Sequence, residues 1–179
     1  FKALVEKNMD ELAHMLSAEH GKVIADSKGD IQRGLEVVEF CCGLPHVLKG
    51  EYTQGAGPGI DVYSMRQPLG IGAGITPFNF PAMIPMWMFG MAIAAGNAFI
   101  LKPSEETPLT AYEVADALHE AGLPSGLFSV VQGDYRVGQA ICEHPGIAKV
   151  SLTGGIDTGK LIIKQAADSL KKVTLELGG

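Results

Sequence analysis

From Leu69 to Leu177 the chain repeats one unit, a short apolar run followed by a stretch with helical punctuation. The runs cover residues 69–75, 98–101, 127–131, 147–152 and 173–177, and helices are expected from Pro81, over 108–121, over 137–143 and over 157–167. Short apolar runs without polar alternation suit strands buried on both faces, and the helices between them supply the crossovers that parallel pairs require. The punctuation agrees, because Thr107-Pro108 reads as a cap followed by proline in the first turn and Gly122-Leu123-Pro124 as a stop. The expected fold is α/β, a doubly wound parallel sheet with helices on both faces. Ligands of such sheets bind beyond the carboxyl ends of the strands, so the loops after the strands hold the candidate site.

Before this repeat, Leu4, Val5, Met9, Leu12, Met15 and Leu16 recur at helical spacing. A second helix is expected after Asp30, with Leu35, Val38 and Cys42 on one face. Residues 1–50 are therefore expected as a helical lead-in to the domain that follows. Residues 51–68 are expected as a separate strand segment, since 60–66 alternates with period two and should lie away from the main core. Residues 69–179 are expected to form the sheet domain. Phe1 stands where an initiator Met would, and the chain ends just after a strand-like run, so a piece of a longer protein is expected.

Composition narrows the function. Fourteen Lys and Arg against twenty Asp and Glu leave a net charge of −6, which repels a polyanion, and nucleic acid is not an expected partner. The apolar stretch 78–101 is broken by Pro81, Pro85, Gly90 and Gly96, which argues against a membrane span. Cys41, Cys42 and Cys142 lack zinc or disulfide-scaffold spacing and point to a reducing compartment. A cytoplasmic location is expected, or the mitochondrial matrix in a eukaryote. His14, His20, His46, His119 and His144 are dispersed without ligand spacing, so no metal is assigned.

Several loops could carry chemistry. Gly70-Ile71-Gly72-Ala73-Gly74 misses the spacing of a dinucleotide fingerprint, and its glycines equally suit a buried strand passing close neighbours. Gly154 to Lys160 approaches a phosphate-binding loop, but Leu161 replaces the hydroxyl that would hold magnesium; helix N-terminal N–H groups there still suit a phosphate. In Thr76-Pro77-Phe78-Asn79-Phe80-Pro81, Asn79 either caps the next helix or serves a ligand. Lys102-Pro103-Ser104-Glu105 places a donor and an acceptor three residues apart at a strand end, suited to a ribose diol or to solvent. Glu176 lies in an apolar strand: facing a cleft, burial would raise it toward general-base range, whereas an exposed edge would leave it ordinary.

Taken together and in this order, T-P-F-N-F-P, K-P-S-E-x-T-P, E-A-G-L-P-S-G, S-L-T-G-G and T-L-E-L-G-G resemble the aldehyde dehydrogenase superfamily across essentially the whole chain. The resemblance implies a Rossmann-like NAD-binding domain with a small β oligomerisation element, truncated before its catalytic domain. It implies that Asn79 supplies the side-chain N–H of an oxyanion hole and that Glu176 activates water. Thr76, Pro77, Phe78, Lys102, Ser104, Glu105, Glu106, Gly155 and Leu177 would then contact the cofactor, Lys102 and Glu105 at the adenosine ribose and Gly155 at the pyrophosphate. The family more often has serine at position 155, and glycine leaves only the backbone for that contact. L-K-G-E, S-M-R-Q-P-L-G and I-T-P-F-N-F-P-A-M-I-P-M-W-M-F look like coenzyme A-acylating methylmalonate-semialdehyde dehydrogenases, whereas the segment 151–160 is closer to betaine-aldehyde dehydrogenases.

The expected activity is NAD-dependent oxidation of a small, semialdehyde-like aldehyde to an acid or an acyl-CoA, with coenzyme A as a second acyl acceptor and a homodimer or homotetramer as the assembly. The family's nucleophilic cysteine would lie beyond Gly179, because none of the three cysteines present occupies its place. The alternative is a non-catalytic nucleotide-binding or assembly module built on the same fold.

Overall fold

The computed structural model describes residues 1–178. Helices α1 (Lys2–Lys7), α2 (Met9–His20), α3 (Ile24–Cys42) and the short α4 (Leu44–Val47) lead into a hairpin of β1 (Tyr52–Gly57) and β2 (Ile60–Tyr63). Then follow β3 (Ile71–Ile75), α5 (Met83–Ala94), β4 (Ala98–Lys102), α6 (Pro108–Glu120), β5 (Phe128–Val130), α7 (Tyr135–Glu143), β6 (Ile147–Gly154), α8 (Ile156–Ala167) and β7 (Lys172–Leu177). All five apolar runs are strands of one parallel sheet, in the order β5-β4-β3-β6-β7. The chain winds outward from β3 to β5, crosses back to β6 and continues to β7, so the switch point lies between β3 and β6.

Two cores cover the two faces. Phe99 and Leu101 of β4 join Val5, Leu16, Ile31, Leu35, Met86, Phe89 and Val114 on the face carrying α1–α3, α5 and α6. Ala73, Val150 and Leu152 join Ile141, Cys142 and Ile162 on the face of α7 and α8, with Ile100 turned to that side. Period-two alternation along β4 thus feeds both layers. The glycines of β3 are packing devices. A Cβ on Gly74 would lie 2.7 Å from Phe99 Cζ and 2.9 Å from Met88 Sδ, so the bare strand is what lets that ring and α5 settle on it.

The lead-in helices cap the crossover helices. Asp30, wholly buried, accepts the Met83 N–H at 2.7 Å at the start of α5. Glu19 accepts the Leu109 and Thr110 N–H groups and the Thr110 hydroxyl at the start of α6. These are N-caps supplied across the structure rather than by the preceding residue, and they satisfy donors that have no intrahelical partner. Thr107 holds the N-cap position of α6 without a side-chain bond, which corrects the expected local cap.

Other boundaries also differ from expectation. Helix α3 begins at Ile24, well before Asp30, because Gly21 ends α2 in the left-handed region and leaves few residues for the turn. Its buried face runs through Ser27, Ile31, Gly34, Val38 and Cys41, while Cys42 is exposed. Adjacent helical residues differ by about 100°, so only one of the two cysteines can face the core. Helix α5 starts at Met83 rather than Pro81, with Pro85 in the first turn where its missing N–H costs nothing. Strand β2 stops at Tyr63 and pairs antiparallel with β1, a strand with two glycines that lacks an apolar pattern.

Helix α3 meets α5 closely at Gly34, where a Cβ would lie 2.6 Å from Met86 Sδ, 3.1 Å from Met86 Cβ and 3.3 Å from Met83 Cα. Gly29, in the same helix, has no such neighbour within 4 Å. We therefore expect Gly34→Val to destabilise by about 1–3 kcal/mol through overpacking and Gly29→Ala to stabilise by about 0.4–1 kcal/mol through the unfolded chain. Thermal unfolding of the two variants, followed by circular dichroism, should move the midpoint in opposite directions.

Candidate cofactor groove and catalytic loop

At the switch point the carboxyl ends of β3 and β6 face a common groove, because both crossover helices that follow them start there. After β3, the Thr76 N–H donates to the Lys102 carbonyl at 3.1 Å and Thr76 is buried, so the loop leaves the sheet only at Pro77. Phe78 is half exposed, and the His20 ring stacks on it at 6.1 Å between centroids and 24° between planes. Asn79 is exposed and its side chain has no hydrogen-bond partner among the described residues. It does not cap α5, whose N-cap position is Ala82.

The first recess, about 860 Å³, is lined by Phe78 and Asn79 on the loop, Ile84 and Trp87 on α5, the segment 153–158 around the start of α8, and Glu176 and Leu177 at the end of β7. Register pairs Thr153 with Glu176. Along β7, Val173 and Leu175 pack toward α8, so alternation turns Glu176 to the α5 side, where it is exposed within the recess. Leu177 leans on α8 at Gly159, where a Cβ would come within 2.9 Å of its Cδ2. Asn79 and Glu176 thus line one chamber, brought there from residues almost a hundred positions apart.

Gly155 is the N-cap of α8 and supplies no side-chain cap; nothing lies within 4 Å of where its Cβ would be. The first N–H groups of α8 are consequently free to meet an anion, with the helix dipole favouring negative charge. Lys160, which does not line the recess, pairs with Asp157 at 3.2 Å, and both side chains are exposed.

A second recess, about 240 Å³, is lined by Lys102, Glu105, Gly138, Thr158, Leu161 and Gln165 among others. Thr158 belongs to both recesses and joins them. Lys102 is buried, and its Nζ donates to Glu105 Oε2 at 3.1 Å and to the Pro103 carbonyl at 3.0 Å. The Glu105 backbone N–H and the Lys102 ammonium hold the Glu105 carboxyl below its ordinary range, so it is an anion at neutral pH. Ser104 Oγ accepts the Glu106 N–H at 3.3 Å and closes the turn. Neither Ser104, Glu106 nor Thr76 lines either recess; Pro77, Phe78, Asn79, Lys102, Glu105, Gly155, Glu176 and Leu177 do. Gly138 and Gln165 were not singled out from the sequence, where they read as ordinary helix positions; Leu161, marked there only for its missing hydroxyl, also lines the recess.

An extended groove with the Lys102–Glu105 pair at one end, bare helix N–H groups in the middle and an amide and a carboxylate lining one recess at the other, cut into the switch point of this parallel sheet, is that of a Rossmann-like α/β fold. The chain belongs to the aldehyde dehydrogenase family, which it matches over residues 1–179. It is 47% identical over 178 residues to a mitochondrial, acylating methylmalonate-semialdehyde dehydrogenase of Arabidopsis thaliana, covering 99% of this chain and 29% of that protein. It is 50% identical over 177 residues to a betaine aldehyde dehydrogenase of Vibrio vulnificus, covering 98% of this chain and 36% of that protein. A Sinorhizobium meliloti structure described as a methylmalonate-semialdehyde dehydrogenase complexed with NAD superposes with a TM-score of 0.97 at 57% identity, over 100% of this chain and 36% of that one. The chain thus spans about a third of the length of the relatives it matches.

None of the three cysteines lines the groove. Cys41 and Cys142 are buried, and burial pushes both thiols above their ordinary range, which leaves little thiolate at neutral pH. Titration of the native chain with an aromatic disulfide reagent should show one fast thiol, lost in Cys42→Ser, and two slow ones released only on unfolding.

Proposed function

We propose that this chain is the cofactor-binding segment of an aldehyde dehydrogenase that oxidises a small semialdehyde with NAD. The observation that carries the reading is the joining of the two recesses at Thr158, with the Lys102–Glu105 pair at one end and Asn79 and Glu176 at the other. Lys102 and Glu105 would take the adenosine ribose, the first turn of α8 at Gly155 the pyrophosphate, and Pro77, Phe78 and Leu177 the remainder of NAD. Bound NAD supplies the acceptor for the hydrogen and electron pair that leave the substrate carbon. Ser104 would contribute by fixing the turn that presents Glu105.

The nucleophile is proposed to be a cysteine beyond Gly179, in keeping with the share of the relatives that the chain spans. When a thiol adds to the aldehyde carbon, the carbonyl oxygen becomes an alkoxide, and Asn79 Nδ2 would donate to it. One such donor is typically worth about 10²–10³ in rate. After oxidation the carbon is a thioester. Glu176 would accept a proton from water as its oxygen bonds to that carbon, and the thiolate leaves as the acid forms. In the acylating alternative the thiol of coenzyme A takes the place of water, as the name of the Arabidopsis relative suggests for that protein. Assembly as a homodimer or homotetramer is proposed through the hairpin, where Tyr52, Ile60, Val62 and Tyr63 are exposed.

NAD is preferred over NADP in this reading, because the Glu105 anion at the ribose diol would repel a 2′-phosphate. Steady-state kinetics of the complete enzyme should give a lower KM for NAD, with Glu105→Gln narrowing the gap; a lower KM for NADP in the unaltered enzyme sinks the assignment. Residues 1–179 alone, mixed with NAD and small aldehydes, should produce no NADH above a protein-free blank, since no cysteine reaches the groove. In the complete enzyme Glu176→Gln should keep the initial burst of NADH and slow the turnover that follows. Loss of the burst would place Glu176 earlier, on the thiol, and unchanged turnover with coenzyme A present would favour the acylating route.

A further inference from the structure

Behind the catalytic loop, outside both recesses, lies an ion pair that holds the loop at three points. Lys22 follows α2, and Asp30 lies in the second turn of α3. Lys22 Nζ donates to Asp30 Oδ2 at 3.0 Å and to the backbone carbonyl of Asn79 at 2.8 Å. The same ammonium sits 4.7 Å from the centroid of the Phe80 ring, in cation–π range. Asp30 Oδ1 accepts the Met83 N–H at 2.7 Å. The Lys22 side chain is 10% exposed and the Asp30 side chain fully buried.

These contacts act on the main chain on either side of Asn79's neighbour Phe80. The carbonyl of residue 79 and the amide of residue 83 are both held by the Lys22–Asp30 pair, while the Asn79 residue lines the groove with its side-chain amide unpaired among the described residues. Burial pushes the Asp30 carboxyl up, whereas Lys22 and the Met83 N–H pull it down, so its charge depends on the partners it holds. A buried ion pair contributes little net stability compared with apolar groups of the same shape, but it fixes direction. Helix α5 would be served by the cap alone. The second bond from Lys22, to Asn79, adds nothing to capping and acts only on the loop.

We propose that Lys22, held by Asp30, is a positioning residue for Asn79: it pins the Asn79 carbonyl so that the side-chain amide points at the oxyanion. This rests on the reading of Asn79 as the oxyanion donor. A donor displaced by about 1 Å can lose up to about 10²-fold in rate, so the pinning has a measurable catalytic consequence.

The test is a double-mutant cycle in the complete enzyme, with kcat and the KM for NAD measured for each member. Asn79→Ala should lower kcat about 10²–10³-fold. Lys22→Met should lower kcat about 10–10²-fold with the KM for NAD unchanged, Lys22→Arg should restore part of the loss, and Lys22→Met should cost nothing further once Asn79 is alanine. Should Lys22→Met fail to fold, Lys22→Met combined with Asp30→Asn enters the cycle in its place, because it removes the charge and its partner together while an amide oxygen still caps Met83. An equal loss in the presence and absence of the Asn79 side chain shows a general structural effect and overturns the proposal, as does an unchanged kcat in the lysine variant. Unchanged kcat in Asn79→Ala itself refutes the oxyanion assignment, a failure separable from that of the pair.

Discussion

The site depends on two carboxylates that never touch it. Glu19 and Asp30, from the lead-in helices, satisfy the N-termini of α6 and α5, the two helices that cross one face of the sheet. Each helix end brings N–H groups with no intrahelical partner, and leaving such donors buried and unpaired costs about 1–3 kcal/mol apiece. The residues preceding the two helices, Ala82 and Thr107, provide no side-chain bond. The helical layer α1–α3 is thus part of the folding unit of the sheet, not an appendage, and the face it covers could not close with the same loop geometry in its absence.

The groove divides its labour by backbone and side chain. Its middle is main chain, the first turn of α8 with a glycine at the N-cap, which leaves the helix N–H groups uncovered. Its ends are side chains held by other side chains or by the sheet: Lys102 on Glu105, and Glu176 on the last strand opposite Thr153. Rigid elements supply each position, so geometry is set before a ligand arrives, the condition under which preorganised dipoles are most effective. The sheet itself provides the spacing, since β4, β3, β6 and β7 each end at a different point along the groove.

What could be read in advance follows the range of the forces involved. Strands β3 to β7 were legible because apolar runs bounded by glycine and proline are local signals, and the loop motifs at their ends carried Asn79, Lys102, Glu105, Gly155 and Glu176 into the groove. The trans caps were not, because Glu19 and Leu109 are distant in sequence and a glutamate near a helix end looks like any solvated one. The alternation of 60–66 suggested one strand, whereas the partner β1 gave no signal because a hairpin exposed on both faces needs no apolar pattern. Gly138 and Gln165 stayed hidden for a related reason: on α7 and α8 they read as ordinary helix positions, and only the approach of the two helices makes a recess of them.

The order of the strands also fixes when the groove can exist. Strand β3 pairs with β4 through Ile71 and Ala98, but its other neighbour is β6 through Ile71 and Ile147. As the chain leaves the ribosome, one edge of β3 must wait while β4, α6, β5 and α7 are made, with the loop that carries Asn79 already attached to it. The middle of the groove, at the start of α8, comes later still, and Glu176 last. The groove is therefore incomplete until almost all of this segment has been synthesised and its central strand is enclosed, so a ligand that needs its whole length would report on a finished sheet and could not serve as a nucleus for building it.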